Sequence, residues 1–383
     1  MRNGSDGLAG FVNDEVLAGL ARPTSEAVPL PARLYADPEF ARLENERLFA
    51  RSWLCAGYAH EVPGPGDTLP VTVAGCPIVF VRGRDGEVRA FLNICPHRGN
   101  VVVAERQWGT AALRCRYHGW TFGLNGGLAV TPHWGGYGRA ETPGFDRACR
   151  GLSPVRLARW HDWLFVNLSG DAPPFEQVLA PFAARCSEYD LGRVVHAHTA
   201  PFSIGANWKL VEENFLEVLH LPTTHPGLNA VAPFQNHAMV SEGALLGTII
   251  EVGLPASWAE PALPRFPGLA PDNRTAKNLA LFPNFKLVIG PDHCASMVEH
   301  AEAADRTSQR WDFYFVGEEA LAERYAAARQ AIIDFFVRTN EEDVGVLEDM
   351  QRACSSLAPP GCFSGAWETV VHDFQKHVIA ALR

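Results

Sequence analysis

Residues 207–225 read NWKLVEENFLEVLHLPTTH, and the rest of the chain is organised around them. Up to His220 the apolar and polar residues alternate at helical spacing, which predicts a helix. Glu213, Glu217 and His220 then stand at i, i+4 and i+7, on one helix face. Pro222 has no N–H to donate and disfavours a helical Leu221, so the helix is expected to stop there. That break leaves His225 free to turn back beside His220. Two imidazoles converging at a helix end, with carboxylates nearby, suit a borderline divalent metal. The plainer alternative is a helix carrying two buried, hydrogen-bonded histidines.

Outward from this stretch, 383 residues are too many for one small core and suggest two domains. A formal charge of −10 argues against nucleic-acid binding, which needs a basic footprint. No apolar run has the length of a membrane span, and the N-terminus lacks the apolar core of a signal peptide. The cysteines number nine, odd and scattered, so a reducing cytoplasm is the expected home. There, cysteine near histidine points to metal ligation. Cys55, Cys76, Cys149, Cys186, Cys294, Cys354 and Cys362 have no partner motif and are expected to be packing thiols.

Residues 1–45 are expected to form an N-terminal segment, loose at first and then helical from about Asp37, with Pro38 in the first helical turn. Residues 46–160 carry short β runs (TLPVTV, PIVFVR, EVRAFL) separated by turns at Ala74-Gly75 and Arg84-Asp85-Gly86. This is a small antiparallel β domain. Residues 161–383 mix strands with a long helical pattern from Glu318 to about Ala353 and a second helix from about Ala366. The Pro-rich loop 254–272 has the character of a lid or channel wall. His196 and His198 alternate on a strand and are expected to be structural.

Within the β domain stand CPHRG (Cys95 to Gly99) and CRYHGW (Cys115 to Trp120), separated so that seventeen residues lie between His97 and Cys115. Thiolates with imidazoles suit zinc or an iron–sulfur cluster. Structural zinc usually takes paired cysteines and paired histidines, and this pattern interleaves them. A Rieske cluster needs two Cys on one iron and two His on the other, which Cys95, His97, Cys115 and His118 supply directly. Pro96, Gly99 and Gly119 would let backbone N–H groups approach the sulfides.

With these motifs in hand, the chain resembles the large (α) subunit of the Rieske non-heme iron oxygenases over nearly its whole length. NWK (207–209), ENFLEVLHLPTTHP (213–226) and the downstream acids in EEDVGVLEDMQ (341–351) complete the match. The resemblance implies that Cys95, His97, Cys115 and His118 hold a [2Fe–2S] cluster, and that His220, His225 and Asp343 hold a mononuclear Fe(II). Such a 2-His-1-carboxylate set leaves one face of the metal open. Glu341 and Glu342 are the rivals to Asp343. Asn214 matches an asparagine that the family keeps near the iron. Glu217 occupies the position of an acid that bridges the two metal sites between neighbouring subunits of a cyclic trimer. The family more often has Asp there. Glu leans toward the branch acting on quaternary ammonium compounds such as choline, carnitine and betaines, as does the run LPARLYADPEFARLENERLFARSWLCAGYAHEVPGPGD.

The implied fold is α+β: an all-β Rieske domain, then a helix-grip (START-like) catalytic domain whose antiparallel sheet wraps a long C-terminal helix. The implied function is that of a terminal oxygenase acting with O₂ on a small organic substrate, by hydroxylation or oxidative demethylation. No GxGxxG follows a strand and opens a helix, so NAD(P)H electrons are expected through a separate flavin and iron–sulfur reductase, with or without a ferredoxin. If the substrate is an ammonium cation, aromatic residues should cage it. Trp258, Phe266, Phe282, Phe285 and Trp311 are the candidates, whereas Trp208 and Phe215 are expected in the core. The alternatives are an aromatic-ring hydroxylating dioxygenase and, from another class, an electron carrier or ligand-binding module with an inactive iron site.

Overall fold

The computed structural model describes residues 6–140, 142–250, 259–354 and 361–383. They form two compact units, Ala50–Ala172 and, separately, Met1–Phe49 with Pro173–Arg383. Trp258 lies outside the described residues.

The unit Ala50–Ala172 is all β. Its strands are β1 (Leu54–Tyr58), β2 (Thr68–Val73), β3 (Cys76–Arg82), β4 (Val88–Leu92), β5 (Leu113–Arg114), β6 (Thr121–Phe122), β7 (Leu128–Val130), β8 (Pro154–Trp160) and β9 (Trp163–Asn167). Six pair in the order β1-β9-β8-β4-β3-β2, and β5-β6-β7 form a small sheet. The β2–β3 turn falls where the sequence places it, with Ala74 and Gly75 at φ 46° and 74°. Two such left-handed residues match the twist of a tight hairpin. The unit extends beyond the expected end at residue 160, because that boundary would cut the β8–β9 hairpin, whose β9 also pairs with β1. The core gathers Val79, Val81, Phe91, Trp120 and Phe122, with Cys95 and Cys115 buried among them.

The other unit begins with α1 (Asp6–Ala9), α2 (Asp14–Leu20) and α3 (Pro38–Leu43). Pro38 sits in the first turn of α3, behind Asp37, whose carboxylate accepts from the N–H groups of Glu39 and Phe40. The helix then widens into a π-helix over Glu44–Phe49. Phe49 packs edge-on against Trp208 at 4.9 Å, which moves the expected boundary from 45 to 49. The lead-in is less loose than expected, since Leu20, Leu30, Leu34 and Tyr35 are all buried.

From Pro173 the chain runs through α4 (Phe175–Cys186), β10 (Val194–Ile204), α5 (Trp208–Leu216), α6 (Leu221–Thr224), α7 (Pro226–Val231), β11 (His237–Glu242) and β12 (Leu245–Ile250). Strands β13 (Ala276–Leu281), β14 (Phe285–Ile289), β15 (His293–Ala303) and β16 (Arg306–Val316) follow, then the long α8 (Ala326–Cys354) and α9 (Thr369–Leu382). The sheet is antiparallel in the order β10-β16-β15-β14-β13-β12-β11. His196, on β10, is tied to Asp312 Oδ1 on β16 at 3.0 Å, a structural role.

Helix α5 starts where Asn207 caps it, its side chain accepting from Lys209 N at 3.0 Å. Lys209 is fully buried and paired with buried Glu44 at 2.7 Å. A buried charge is tolerated only when paired in this way, so the pair fixes the start of α5 against the N-terminal segment. Asn207 N also donates to Gln351 Oε1 of α8 at 2.8 Å. These ties hold α5 and α8 in the arrangement that creates the site.

Candidate metal centres

The loops Cys95–Asn100 and Cys115–Trp120 make the same turn twice. In each, the cysteine N–H donates to the carbonyl five residues on, Asn100 O or Trp120 O, at 2.8 Å. The glycine four residues on donates back to the cysteine carbonyl, Gly99 N at 2.9 Å and Gly119 N at 3.0 Å. Gly99 and Gly119 take φ of 72° and 71°, where a Cβ is disfavoured. The rings of His97 and His118 come within 4.5 Å of each other, and Trp120 stacks on His97 at 4.9 Å. Asn100 Nδ2 donates to Cys115 Sγ at 3.6 Å. Burial pushes the Cys95 thiol up. At Cys115 burial is outweighed by N–H groups and the Asn100 amide, so that thiol lies below its usual range. His97 Nδ1 is buried without a hydrogen-bond partner, an orphan of a kind rare in proteins. Two thiols and two imidazoles around an orphaned ring nitrogen fit a Rieske cluster.

In the other unit, His220 Nε2 lies 3.7 Å and His225 Nε2 2.9 Å from Asp343 Oδ1. One ligand atom from each of these three residues lies within 4.8 Å of the others. Both imidazoles are oriented from behind: His220 Nδ1–H donates to Glu217 Oε1 at 2.5 Å, and His225 Nδ1–H to Glu342 Oε2 at 2.7 Å. With each Nδ1–H engaged from behind, both Nε2 atoms point toward Asp343, and His225 Nε2 would become a metal ligand on losing the proton it donates to Asp343 Oδ1. Asn214 Nδ2 donates to Asp343 Oδ1 at 3.0 Å. Burial pulls the His225 imidazolium down, but hydrogen bonds to Asp343 and Glu342 outweigh it and leave the pKa above its ordinary value. A proton held by carboxylates is what a divalent cation would displace.

Two local expectations fail here. Helix α5 ends at Leu216, and Glu217 is extended, with φ −115° and ψ 163°. Glu213, Glu217 and His220 therefore do not share a helix face. The Glu217 carboxylate accepts from the backbone N–H of both Leu219 and His220, a local alternative to the helical ladder that releases the chain five residues before Pro222. Pro222 instead lies in the first turn of α6, where its missing N–H is harmless. Glu213 turns elsewhere, accepting from Tyr35 Oη at 2.6 Å and Gln375 Nε2 at 3.0 Å.

A pocket of about 110 Å³ opens beside His220, His225 and Asp343, between α5, α8 and the sheet. Of the expected aromatic candidates within the described residues, Trp311 lines it and Phe266, Phe282 and Phe285 do not. Phe266 packs on Tyr189, Phe282 on Phe374, and Phe285 on Phe182. Phe215, expected in the core, lines the pocket with Phe335 and Phe336. The spacing of Phe215 two residues after Glu213 carries no signal of this, because the sheet supplies the opposite wall. Lys286 also lines the pocket but is held by Glu299 at 2.6 Å. Burial raises the nearby Glu212 well above the carboxylate range, with Lys286 opposing and Glu299 adding to the rise.

Residues 189–383 match the family described as the ring hydroxylating alpha subunit (catalytic domain), and residues 52–138 match the Rieske [2Fe-2S] domain. The first match spans just over half of the chain. The chain belongs to the ring hydroxylating alpha subunit family. The alpha subunit is 28% identical over 339 residues to the carnitine monooxygenase oxygenase subunit of Escherichia coli (strain K12), covering 86% of this chain and 85% of that one. It is 35% identical over 199 residues to the glycine betaine monooxygenase oxygenase subunit of Chromohalobacter salexigens, covering 52% and 43%. In fold it is similar to the quaternary ammonium Rieske monooxygenase CntA with L-carnitine (TM-score 0.78, 24% identity, 95% and 97% covered). It is equally similar to naphthalene 1,2-dioxygenase from Rhodococcus sp. (TM-score 0.79, 20% identity, 99% of each chain).

The alpha subunit is thus an oxidoreductase of the Rieske oxygenase class, and its cofactors are a Rieske [2Fe–2S] cluster and a mononuclear iron. Oxygenase subunits of this kind draw electrons from a reductase partner. Its fold is the expected one, a Rieske all-β unit and a catalytic unit with an antiparallel sheet and a long helix near the C-terminus. Among the described residues, no helix is long and apolar enough to cross a membrane.

Proposed function

We propose that this alpha subunit is the terminal oxygenase of a system that hydroxylates or oxidatively demethylates a quaternary ammonium compound. The observation that carries the catalytic part is the convergence of His220, His225 and Asp343 at one end of an aromatic-lined pocket. Those three residues would hold the iron, and Cys95, His97, Cys115 and His118 the cluster. When bound, the metals supply electrons and activate O₂ at the open face of the iron. The chain's own work is positional. Glu217 and Glu342 fix the tautomer and aim of the two imidazoles, and Asn214 steadies the carboxylate of Asp343. Trp311, Phe335 and Phe336 exclude water and would offer aromatic surface to a cation, with the acids Glu217 and Asp343 adding negative potential, while the Phe215 ring already carries the Lys286 ammonium at 4.9 Å. The same aromatic lining serves an uncharged ring, so the ammonium reading is supported by the carnitine and glycine betaine relatives.

Electron supply is read as coming from a flavin and iron–sulfur reductase in the cytoplasm. Assembly is read as a cyclic homotrimer. Around the candidate cluster histidines, Tyr117, Trp134 and Tyr137 are exposed, and beside the candidate iron site Leu219, Val346 and Met350 are exposed. Val346 and Met350 follow Asp343 at i+3 and i+7, on one face of α8. Head-to-tail association would cover both surfaces and let Glu217 bridge His220 to a cluster histidine, His118 or His97, of the neighbour. Coupled O₂ uptake with NADH and a reductase tests the substrate class. Turnover of glycine betaine, carnitine or choline is expected. Turnover of naphthalene-like or benzoate-like compounds, with none of the ammonium compounds, would reject it.

A further inference from the structure

The pocket holds a polar pair that the metal sites leave unused. Thr248 on β12 and Asn278 on β13 are direct partners across the antiparallel ladder, so their side chains emerge on the same face. Both line the pocket. Thr248 is only 2% exposed, and Asn278 is half-buried. Neither side chain has a hydrogen-bond partner among the described residues. Their immediate neighbours across the ladder are mostly apolar, with Lys286 two residues from Val288 on the same face. The next pair on the same face of these two strands is Ile250 with Ala276, and Val288 faces Asn278 from β14.

Sheet positions that face an apolar cavity are normally filled by apolar residues, because a buried hydroxyl or amide without a partner is destabilising. Other polar lining groups are engaged: Lys286 by Glu299, His293 by Asp292 at 2.6 Å, and Gln309 by Glu299 and Trp311. Asn340, whose Nδ2 also lacks a partner, lies one helical turn before Asp343 and belongs to the iron end. A hydroxyl and an amide held side by side by the ladder offer three donor hydrogens and two acceptor oxygens to a single small group.

We infer that Thr248 and Asn278 are the specificity anchor of the pocket, hydrogen-bonding the oxygen-bearing tail of the substrate, a deepening that rests on the ammonium reading above. The tail is a hydroxyl or a carboxylate, and both accept from the Asn amide and the Thr hydroxyl. The charge around them ranks the two. The pocket carries the acids Glu217 and Asp343, and Lys286 is already neutralised by Glu299, so a neutral hydroxyl is favoured over a carboxylate.

The test compares choline with propyltrimethylammonium, which replaces the hydroxyl by a methyl, and with glycine betaine, by calorimetric binding to the metal-loaded full chain. The wild type is expected to bind choline about tenfold tighter than propyltrimethylammonium, the scale of one net hydrogen bond. Thr248→Val is nearly isosteric, and Asn278→Leu is the second variant. Each should erase most of that preference while binding propyltrimethylammonium as the wild type does, with cluster absorbance unchanged as the check on folding. Thr248→Ser should retain the preference. If glycine betaine, and not choline, shows a preference that vanishes in both variants, the anchor stands and its tail is a carboxylate. Ammonium binding without any tail preference, or a preference that survives both variants, overturns the anchor alone. If none of the three compounds binds, the ammonium reading falls and the anchor with it.

Discussion

In the Rieske unit the four candidate ligands come from two short loops, Cys95–Asn100 and Cys115–Trp120, each closed by its own backbone hydrogen bonds. In the catalytic unit, His225 and Asp343 meet across 118 residues of chain. The first site is local geometry repeated. The second depends on α5, α6 and α8 being brought together by buried ties such as Lys209–Glu44 and Asn207–Gln351. A local site is legible as a motif and stands on a few turns. A site assembled at long range is open to failure from residues far from the metal.

The sharpest way to break this contrast is to remove one histidine from each region. His118→Ala is expected to abolish the visible absorption of the [2Fe–2S] centre, whereas His220→Ala should leave that spectrum intact. Bleaching by both would mean that the two regions form as one unit. Next in size is Glu217→Gln, which preserves shape and one oxygen for the N–H groups of Leu219 and His220. Iron affinity should fall only about tenfold, as for loss of one outer hydrogen bond, while reoxidation of the reduced cluster in iron-replete protein, followed by stopped flow, slows by orders of magnitude. Normal single-turnover transfer would remove Glu217 from the bridge.

The long-range assembly has a pH signature of its own. Burial raises the Glu213 carboxyl from 4.5 to about 7, against the hydrogen bonds from Tyr35 and Gln375. The folded chain therefore keeps a proton that the unfolded chain releases above pH 4.5. The stabilising contribution is complete below pH 4.5 and is lost as pH rises through about 7. The loss is on the order of 3 kcal/mol. Glu213→Gln keeps an acceptor for Tyr35 and should flatten the fall in denaturation midpoint between mildly acidic and mildly alkaline buffer. An unchanged pH slope would count against this tie. Smallest is Glu342→Gln, expected to weaken iron binding about tenfold by loosening the His225 ring, as removal of an outer hydrogen bond does. Equilibrium competition with a chelator measures it, and affinity equal to wild type would show that Asp343 alone orients His225.

The same contrast explains what the sequence discloses. Both cysteine–histidine loops, the β hairpins and the long helix are visible because each depends on neighbours in sequence. The end of α5 is not, because the Glu217 side chain captures backbone N–H groups before Pro222 acts, and no periodicity records that competition. Pocket walls are hidden for a related reason. Phe285 and Phe266 have the composition of pocket aromatics but pack on Phe182 and Tyr189, while Phe215 is turned to the cavity by the docking of α5 on the sheet. Among Glu341, Glu342 and Asp343 the chain offers three adjacent acids. Only the rotation of α8 separates Asp343, facing both Nε2 atoms, from Glu342, behind His225.

Iron counting on the purified chain tests the central claim of two separate metal sites most directly. The expected value is about three irons per chain, the pair of the cluster and one held by His220, His225 and Asp343. His220→Ala should lower it by about one, with the cluster spectrum retained. About two irons per wild-type chain, unchanged by His220→Ala, would contradict a working iron site and leave an electron carrier or ligand-binding module in its place.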